Sequence, residues 1–122
     1  MNRQKGYAER TRGRFTQAGF RSLDQPDLHN LAKVELWQGR TLLEKNERPD
    51  AVAHLEQALA SMTELARHYD RAQVLDALGD AHVTTDPASA DRYYQQAMEI
   101  YEEIGHLLTA ATIQHKRDSL GR

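Results

Sequence analysis

Six histidines, at positions 29, 54, 68, 82, 106 and 115, are the side chains of this sequence best suited to bind a metal or to move a proton near neutral pH. Their spacing does not favour a metal. No two lie four residues apart, so no helical turn offers the histidine pair that grips zinc in a helix-borne site. Glu64 and His68 share a face at i,i+4, but a single pair falls short of a ligand set. Cysteine is absent, which removes disulfides, thiol nucleophiles and thiolate-bound zinc or iron–sulfur centres together. Asp76 and Asp80 lie one turn apart, with Asp86 beyond, and paired carboxylates are the material of acid–base chemistry; here they read as a solvated acidic stripe. Ser22, Ser61 and Ser89 stand in no nucleophile-elbow context. Tyr93, Tyr94 and Tyr101 fit a packed helix face better than a platform for stacking bases. The expectation is therefore no catalytic residue, no metal site, no cofactor, and a protein that is not an enzyme.

The elements that carry these residues repeat. Ala18, Ala58 and Ala97 recur at steps of 40 and 39 residues. Fourteen residues after each comes another alanine (Ala32, Ala72, Ala111), and sixteen after each a β-branched residue (Val34, Val74, Ile113). Gly39, Gly79 and Asp118 follow, and Phe15, Leu55 and Tyr94 precede each alanine by three. A period of this length is the mark of stacked helical hairpins. Glycine inside a helix costs roughly 1 kcal/mol relative to alanine, so Gly39 and Gly79 call for a reason. The reason expected is close approach of two helix backbones, with Leu55 and Tyr94 filling the space beside them.

Size, composition and charge bound the rest. The chain of 122 residues is one domain's worth, 39% hydrophobic, with a mean hydropathy of -0.77. It has no run of apolar residues long enough for a membrane span. The N-terminus, MNRQKGYAERTRGRF, has no apolar stretch of signal-peptide length, and a cytoplasmic setting is expected. Net charge is -2, unevenly spread: residues 1–21 carry six basic groups against Glu9 alone, whereas residues 22–122 carry 10 basic and 17 acidic groups. A basic arm on an acidic body is one signature of nucleic-acid contact. A solvated helix face is the alternative, since Tyr7, Phe15, Ala18 and Phe20 give the segment an apolar side.

The fold class predicted is all-α: a right-handed superhelical stack of antiparallel hairpins, about six helices in one domain over 1–122. A lone helix spans 5–22. Asp24-Gln25-Pro26-Asp27 reads as a turn, with Asp27 as an N-cap. Hairpin one covers 28–67, divided near Pro49, which suits the first turn of its second helix. Hairpin two covers 69–104, divided at Thr84-Thr85-Asp86-Pro87, where Asp86 caps and Pro87 opens the next helix. A capping helix covers 106–120 after Gly105. No segment alternates as a strand does.

Leu78-Gly79-Asp80-Ala81-His82, followed by Ala90, Tyr94 and Ala97, resembles a tetratricopeptide repeat. An earlier copy, Gly39, Leu42, Ala51, Leu55 and Ala58, has leucine in place of both aromatics. His82 stands where the family usually has an aromatic and reads as core filler. Two features depart from the pattern: the period is 39–40 residues rather than the usual 34, and proline falls between the helices of each hairpin, at Pro49 and Pro87. The run LGDAHVTTDPASADRYYQQAMEIYEEIG is further similar to the C-terminal repeat regions of bacterial, especially actinobacterial, transcriptional regulators. That likeness implies a regulatory module without its DNA-binding and nucleotide-binding parts: no GxxxxGK[ST] loop occurs and no helix-turn-helix precedes the repeats.

The tetratricopeptide resemblance also implies a binding face. In such stacks the first helix of each hairpin lines the groove, through positions three before, two before and one after the small residue. Here these are Leu36, Trp37 and Arg40, then Asp76, Ala77 and Asp80, with Lys33 and Gln73 six before. The expected partner-binding residues are Lys33, Trp37, Arg40, Gln73, Asp76 and Asp80. Trp37 is the sole tryptophan, and tryptophan and arginine are enriched at binding hot spots. The expected function is protein–protein interaction, a peptide or partner protein held in the groove as the regulatory or scaffold part of a transcriptional regulator. The alternatives are homodimerisation through the part-repeats at the ends and nucleic-acid contact through the basic arm; no membrane partner is expected.

Overall fold

A computed structural model describes residues 18–120. Every regular element in that range is helical: α1 (Ala18–Glu44), α2 (Arg48–Glu64), α3 (His68–His82), α4 (Pro87–Glu103) and α5 (Leu107–Ser119). None is long and apolar enough to cross a membrane. The chain divides into two compact units, Met1–Asn30 and Leu31–Arg122. In the first, the described residues 18–30 are helical backbone and form the opening part of α1. The second holds the remainder of α1 and the other four helices.

The described residues thus contain five helices where about six were expected, and the difference lies at the N-terminus. The turn anticipated at residues 24–27 is absent, and Asp27 is not an N-cap, because α1 continues through them. Pro26 has no N–H, so the helix forgoes one hydrogen bond there. The central residues of a type I turn have near-helical dihedrals, so an Asp-Gln-Pro-Asp signal does not separate a turn from a helical interior. Of the lone helix expected over 5–22, residues 5–17 lie outside the described residues and 18–22 open α1. The basic arm lies mostly outside them as well.

Within the second unit, neighbouring helices are joined by short connectors and stack as antiparallel hairpins. Two apolar clusters hold the stack. One joins Ala32 and Leu36 of α1, Leu55, Ala58 and Met62 of α2, and Val74, Ala77, Leu78 and Ala81 of α3. The other joins Ala72 and Leu75 of α3 to Ala90, Tyr94, Ala97, Ile100 and Tyr101 of α4 and Ala110 and Ile113 of α5. The mid-helix glycines meet the residues the repeat pairs with them. A Cβ on Gly39 would lie 2.6 Å from the Cγ and Cδ2 atoms of Leu55, and one on Gly79 would fall on the ring of Tyr94. At the ends the repeat loses its regularity: Ala32 and Ala72 are buried but Ala111 is exposed, and Val74 and Ile113 are buried but Val34 is exposed.

Three of the four connectors share one geometry. Asn46, Ala66 and Gly105 adopt left-handed φ values of 64°, 57° and 83°. After each, an amide reaches back five residues: Glu47 donates to the Leu42 carbonyl at 2.8 Å, Arg67 to Met62 at 3.0 Å and His106 to Tyr101 at 2.8 Å. The left-handed residues themselves donate three back, to Leu43, Thr63 and Glu102. This is the Schellman end, which satisfies the last carbonyls of a helix and usually places glycine at the left-handed site. The second helix, expected to reach residue 67, stops at Glu64 because Ala66 takes this conformation without the glycine that advertises it. A left-handed L-residue costs roughly 1–2 kcal/mol, partly offset in a glycine variant by its greater unfolded-state entropy. Ala66→Gly is therefore expected to stabilise the chain by about 1 kcal/mol, read as a raised urea midpoint at unchanged slope.

The remaining connector follows the sequence expectation. Pro87 opens α4, and Asp86 accepts from Ser89 N at 3.3 Å and from Ser89 Oγ at 2.6 Å. These two bonds hold the Asp86 carboxyl below the usual carboxylate range.

Candidate functional site

The six residues expected to bind a partner line two adjoining clefts in the second unit. The first, of about 290 Å³, is bounded by Lys33, Leu36, Trp37 and Arg40 of α1 and by Tyr69, Asp70 and Gln73 of α3. The second, of about 400 Å³, is bounded by Arg40, Leu43 and Glu44 of α1, Arg48 of α2, Asp76, Ala77 and Asp80 of α3, and Lys116 of α5. Arg40 stands between them and lines both. The helical period explains the gathering: residues 33, 36, 37 and 40 fall on one side of α1, as 73, 76, 77 and 80 do on α3. Leu36 and Ala77 are buried and floor the clefts, while Trp37 stands 72% exposed at the lip of the first.

The second cleft has a feature the sequence reading lacked. Of the acidic stripe, Asp80 is exposed and Asp76 part-buried, and Lys116 reaches across from α5 to both and offsets one of their two charges. Its Nζ donates to Asp76 Oδ1 at 2.9 Å and to Asp80 Oδ1 at 3.2 Å. It also lies 5.6 Å from the centroid of the Tyr94 ring, within cation–π range. Tyr94 Oη in turn donates to Asp80 Oδ1 at 2.5 Å. Four side chains thereby tie α3, α4 and α5 together. Burial pushes the Asp76 carboxyl up, and Lys116 pulls it back only in part. Burial alone would lower the Lys116 ammonium, but the Asp76 and Asp80 carboxylates outweigh it and raise it. Burial, followed by the bond to Asp80, raises the Tyr94 hydroxyl. Both carboxylates are thus engaged in the contact that ties the three helices together.

Lys116 was legible in principle. The groove rule that selects Trp37 from Gly39 and Ala77 from Gly79 selects Lys116 from Asp118, two residues before the repeat position. Reading α5 only as a cap hid it. Tyr69 was missed because it sits in the first turn of α3, outside the positions counted. It lines the first cleft and packs edge-on against Tyr101 at 5.9 Å and beside His106 at 5.2 Å. Burial raises the Tyr101 hydroxyl to about 12. His82, expected as core filler, is half-buried at the end of α3 and stacks on Tyr93 with 5.5 Å between ring centroids. Away from the clefts, Glu35 and His54 pair across α1 and α2, and Arg117 Nε bonds Asp91 at 2.9 Å across α4 and α5. Among the described residues, no group of three or more histidines and carboxylates is placed to hold a metal ion.

The Lys116 contact predicts a pH-dependent loss of stability. Lys116→Met leaves Asp76 half-buried without its cation, a penalty of about 1–2 kcal/mol at pH 7 once the pair's partial exposure is allowed for. Without Lys116 the folded-state pKa of Asp76 rises further above its unfolded value. The folded state then holds that proton more tightly than the unfolded state does, so the penalty is full above the folded pKa and fades as pH falls toward 3.8. Urea titrations at pH 7 and pH 4 should show a smaller difference from the parent chain at pH 4.

Two kinds of comparison give no match, one with curated proteins and one with solved structures. The comparison with protein families does. The tetratricopeptide repeat model matches residues 28–103, a span that takes in both hairpins and most residues lining the two clefts. Such repeats are typically non-catalytic and mediate contacts between proteins. With more than half of its length matched and its helices stacked as hairpins, the chain belongs to the tetratricopeptide repeat family.

Proposed function

We propose that this chain is a non-catalytic interaction module that holds an extended peptide or a partner helix along the two clefts bounded by α1 and α3. The observation that carries the reading is Trp37, exposed at the cleft lip between Lys33 and Arg40. Neither cation is within ion-pair distance of another described residue, although Arg40 acts electrostatically on Asp76, and Lys116 offsets one of the two charges of Asp76 and Asp80. Beside Trp37 the positive charge of Lys33 and Arg40 adjoins an aromatic surface, with Asp70 the acidic residue of the same cleft. A ligand that pairs an acidic residue with a neighbouring aliphatic or aromatic one matches it, with Trp37 as apolar anchor and Lys33 and Arg40 setting orientation. Gln73 supplies an amide on the opposite wall.

The likeness of residues 78–105 to repeat regions of bacterial transcriptional regulators supports a regulatory or scaffold role of this kind in the cytoplasm. Panning a displayed random-peptide library against the chain tests the reading. Recovered peptides should combine acidic and large apolar residues and should lose affinity for Arg40→Glu. Recovery of basic peptides, or binding indifferent to Arg40, would contradict it.

A further inference from the structure

We propose that the outward face of α1 is a self-association surface, pairing antiparallel with the same face of a second copy of this chain. The repeat itself exposes the face. Val34, Val74 and Ile113 occupy equivalent positions, yet Val34 is 50% exposed while Val74 and Ile113 are 0% and 1%. One repeat step of 40 residues takes Trp37 to Ala77, which is 2% exposed, and Thr41 to buried Ala81. On α3 those positions are covered by the helix before it, since Val74, Ala77 and Ala81 share a cluster with Leu55, Ala58 and Met62 of α2. No described helix does the same for α1. The face it leaves bare includes Leu31, 62% exposed, and an apolar cleft of about 400 Å³ lined by Val34, Trp37, Gln38, Thr41, Leu42 and His54. Single exposed apolar residues are ordinary, but a row of them beside a cleft marks a contact surface.

A second copy is the occupant the face itself favours. A two-fold interface needs one patch that carries both a projection and a recess. Here the Trp37 ring projects beside a recess whose wall it also forms. The charges on the flank give the direction. Lys33 and Glu44 are eleven residues, close to three turns, apart on the same side of α1. An antiparallel pair centred near Gln38 brings each Lys33 to Glu44 of the second copy, whereas a parallel pair would oppose like charges. The other exposed leucines, Leu107 and Leu108, stand at the first turn of α5. Pairing α1 with that turn of another copy would be heterologous and would propagate into longer assemblies. Three turns of one helix fall below the ~800 Å² per partner of a standard interface, so the dimer is weak and reversible.

Because Trp37 is the only tryptophan, its fluorescence reports directly on this face. Sedimentation velocity and tryptophan emission are to be measured on the full chain from about 10 µM to about 1 mM, the span of a weak interface. The expected result is a monomer–dimer equilibrium in which emission shifts to the blue and acrylamide quenching falls as the dimer forms. Val34→Glu, at an exposed position outside both clefts facing α3, should weaken the dimer at least tenfold with helicity unchanged. Glu44→Lys should weaken it less, and Lys33→Glu combined with Glu44→Lys should restore it. A chain that stays monomeric with constant emission overturns the proposal. So does a dimer indifferent to Val34→Glu, which places the contact elsewhere, and so does growth beyond a dimer, which points to α1–α5 pairing. Monomers whose Trp37 is shielded at every concentration would place another part of the same chain on the face. None of these outcomes depends on whether the other clefts bind a peptide.

Discussion

Gly79→Ala is expected to destabilise the chain by about 2 kcal/mol, although alanine is the better helix former by roughly 1 kcal/mol. The added Cβ lands on the ring of Tyr94. That ring cannot yield cheaply: it is 2% exposed, lies among Ala72, Ala90 and Ala97, and is anchored at its far end by the Asp80 carboxylate. Overpacking of a core that cannot move costs typically 1–3 kcal/mol, which outweighs the propensity gain. Tyr94→Leu removes the ring atoms that the Cβ meets, so in that background the penalty of Gly79→Ala should fall below about 1 kcal/mol. The four proteins of this cycle, unfolded in urea and followed by circular dichroism, separate the two effects. A stabilising Gly79→Ala in the parent chain would show that propensity governs the site and that the backbones are free to separate.

Trp37→Ala is expected to weaken an acidic–apolar peptide ligand by about 2 kcal/mol, close to 30-fold in Kd. Truncation of a central tryptophan in an interface reaches this size because the ring excludes water from the charges around it, and here those charges are Lys33 and Arg40. Folding should change little, by under about 0.5 kcal/mol, because the ring is largely solvent-exposed in the free chain. Arg40→Glu should weaken the same ligand by about tenfold, through loss of one charge-assisted bond and gain of a like charge. Calorimetric titration, with the thermal unfolding of each variant as control, reads both effects. Equal affinity for the parent chain and a folded Trp37→Ala variant would exclude the first cleft as the anchor.

The parts of this structure that were legible beforehand are those where one residue type has few reasons to be where it is. A glycine in mid-helix opposite a large residue one hairpin later signals a tight crossing, and Gly39 with Leu55 and Gly79 with Tyr94 meet as that logic requires. Asp86-Pro87 likewise has one economical use, at a helix start. The misread parts are those where the local signal is degenerate or the partner is distant. Asp24-Gln25-Pro26-Asp27 serves a turn or a helix equally, and the long α1 passes through it. Ala66 carries no mark of its left-handed backbone, which the reach of Arg67 to the Met62 carbonyl sets instead. The alignment of Lys33, Trp37, Arg40, Gln73, Asp76 and Asp80 along two clefts follows from the groove positions that the tetratricopeptide resemblance implies, which the helical period keeps on one side of each helix. The charge state of that face does not, because Lys116 arrives from 36 and 40 residues away.

Amide chemical-shift mapping of the labelled chain with a selected acidic–apolar peptide tests the binding face most directly. The expected shifts cluster at Lys33, Trp37 and Arg40 on α1 and at Tyr69, Gln73 and Asp76 on α3, while Arg92, Gln95, Gln96 and Glu99 on the exposed side of α4 stay still. Shifts confined to α4 or to the Val34–His54 side of α1, with Lys33 and Arg40 unmoved, would contradict it.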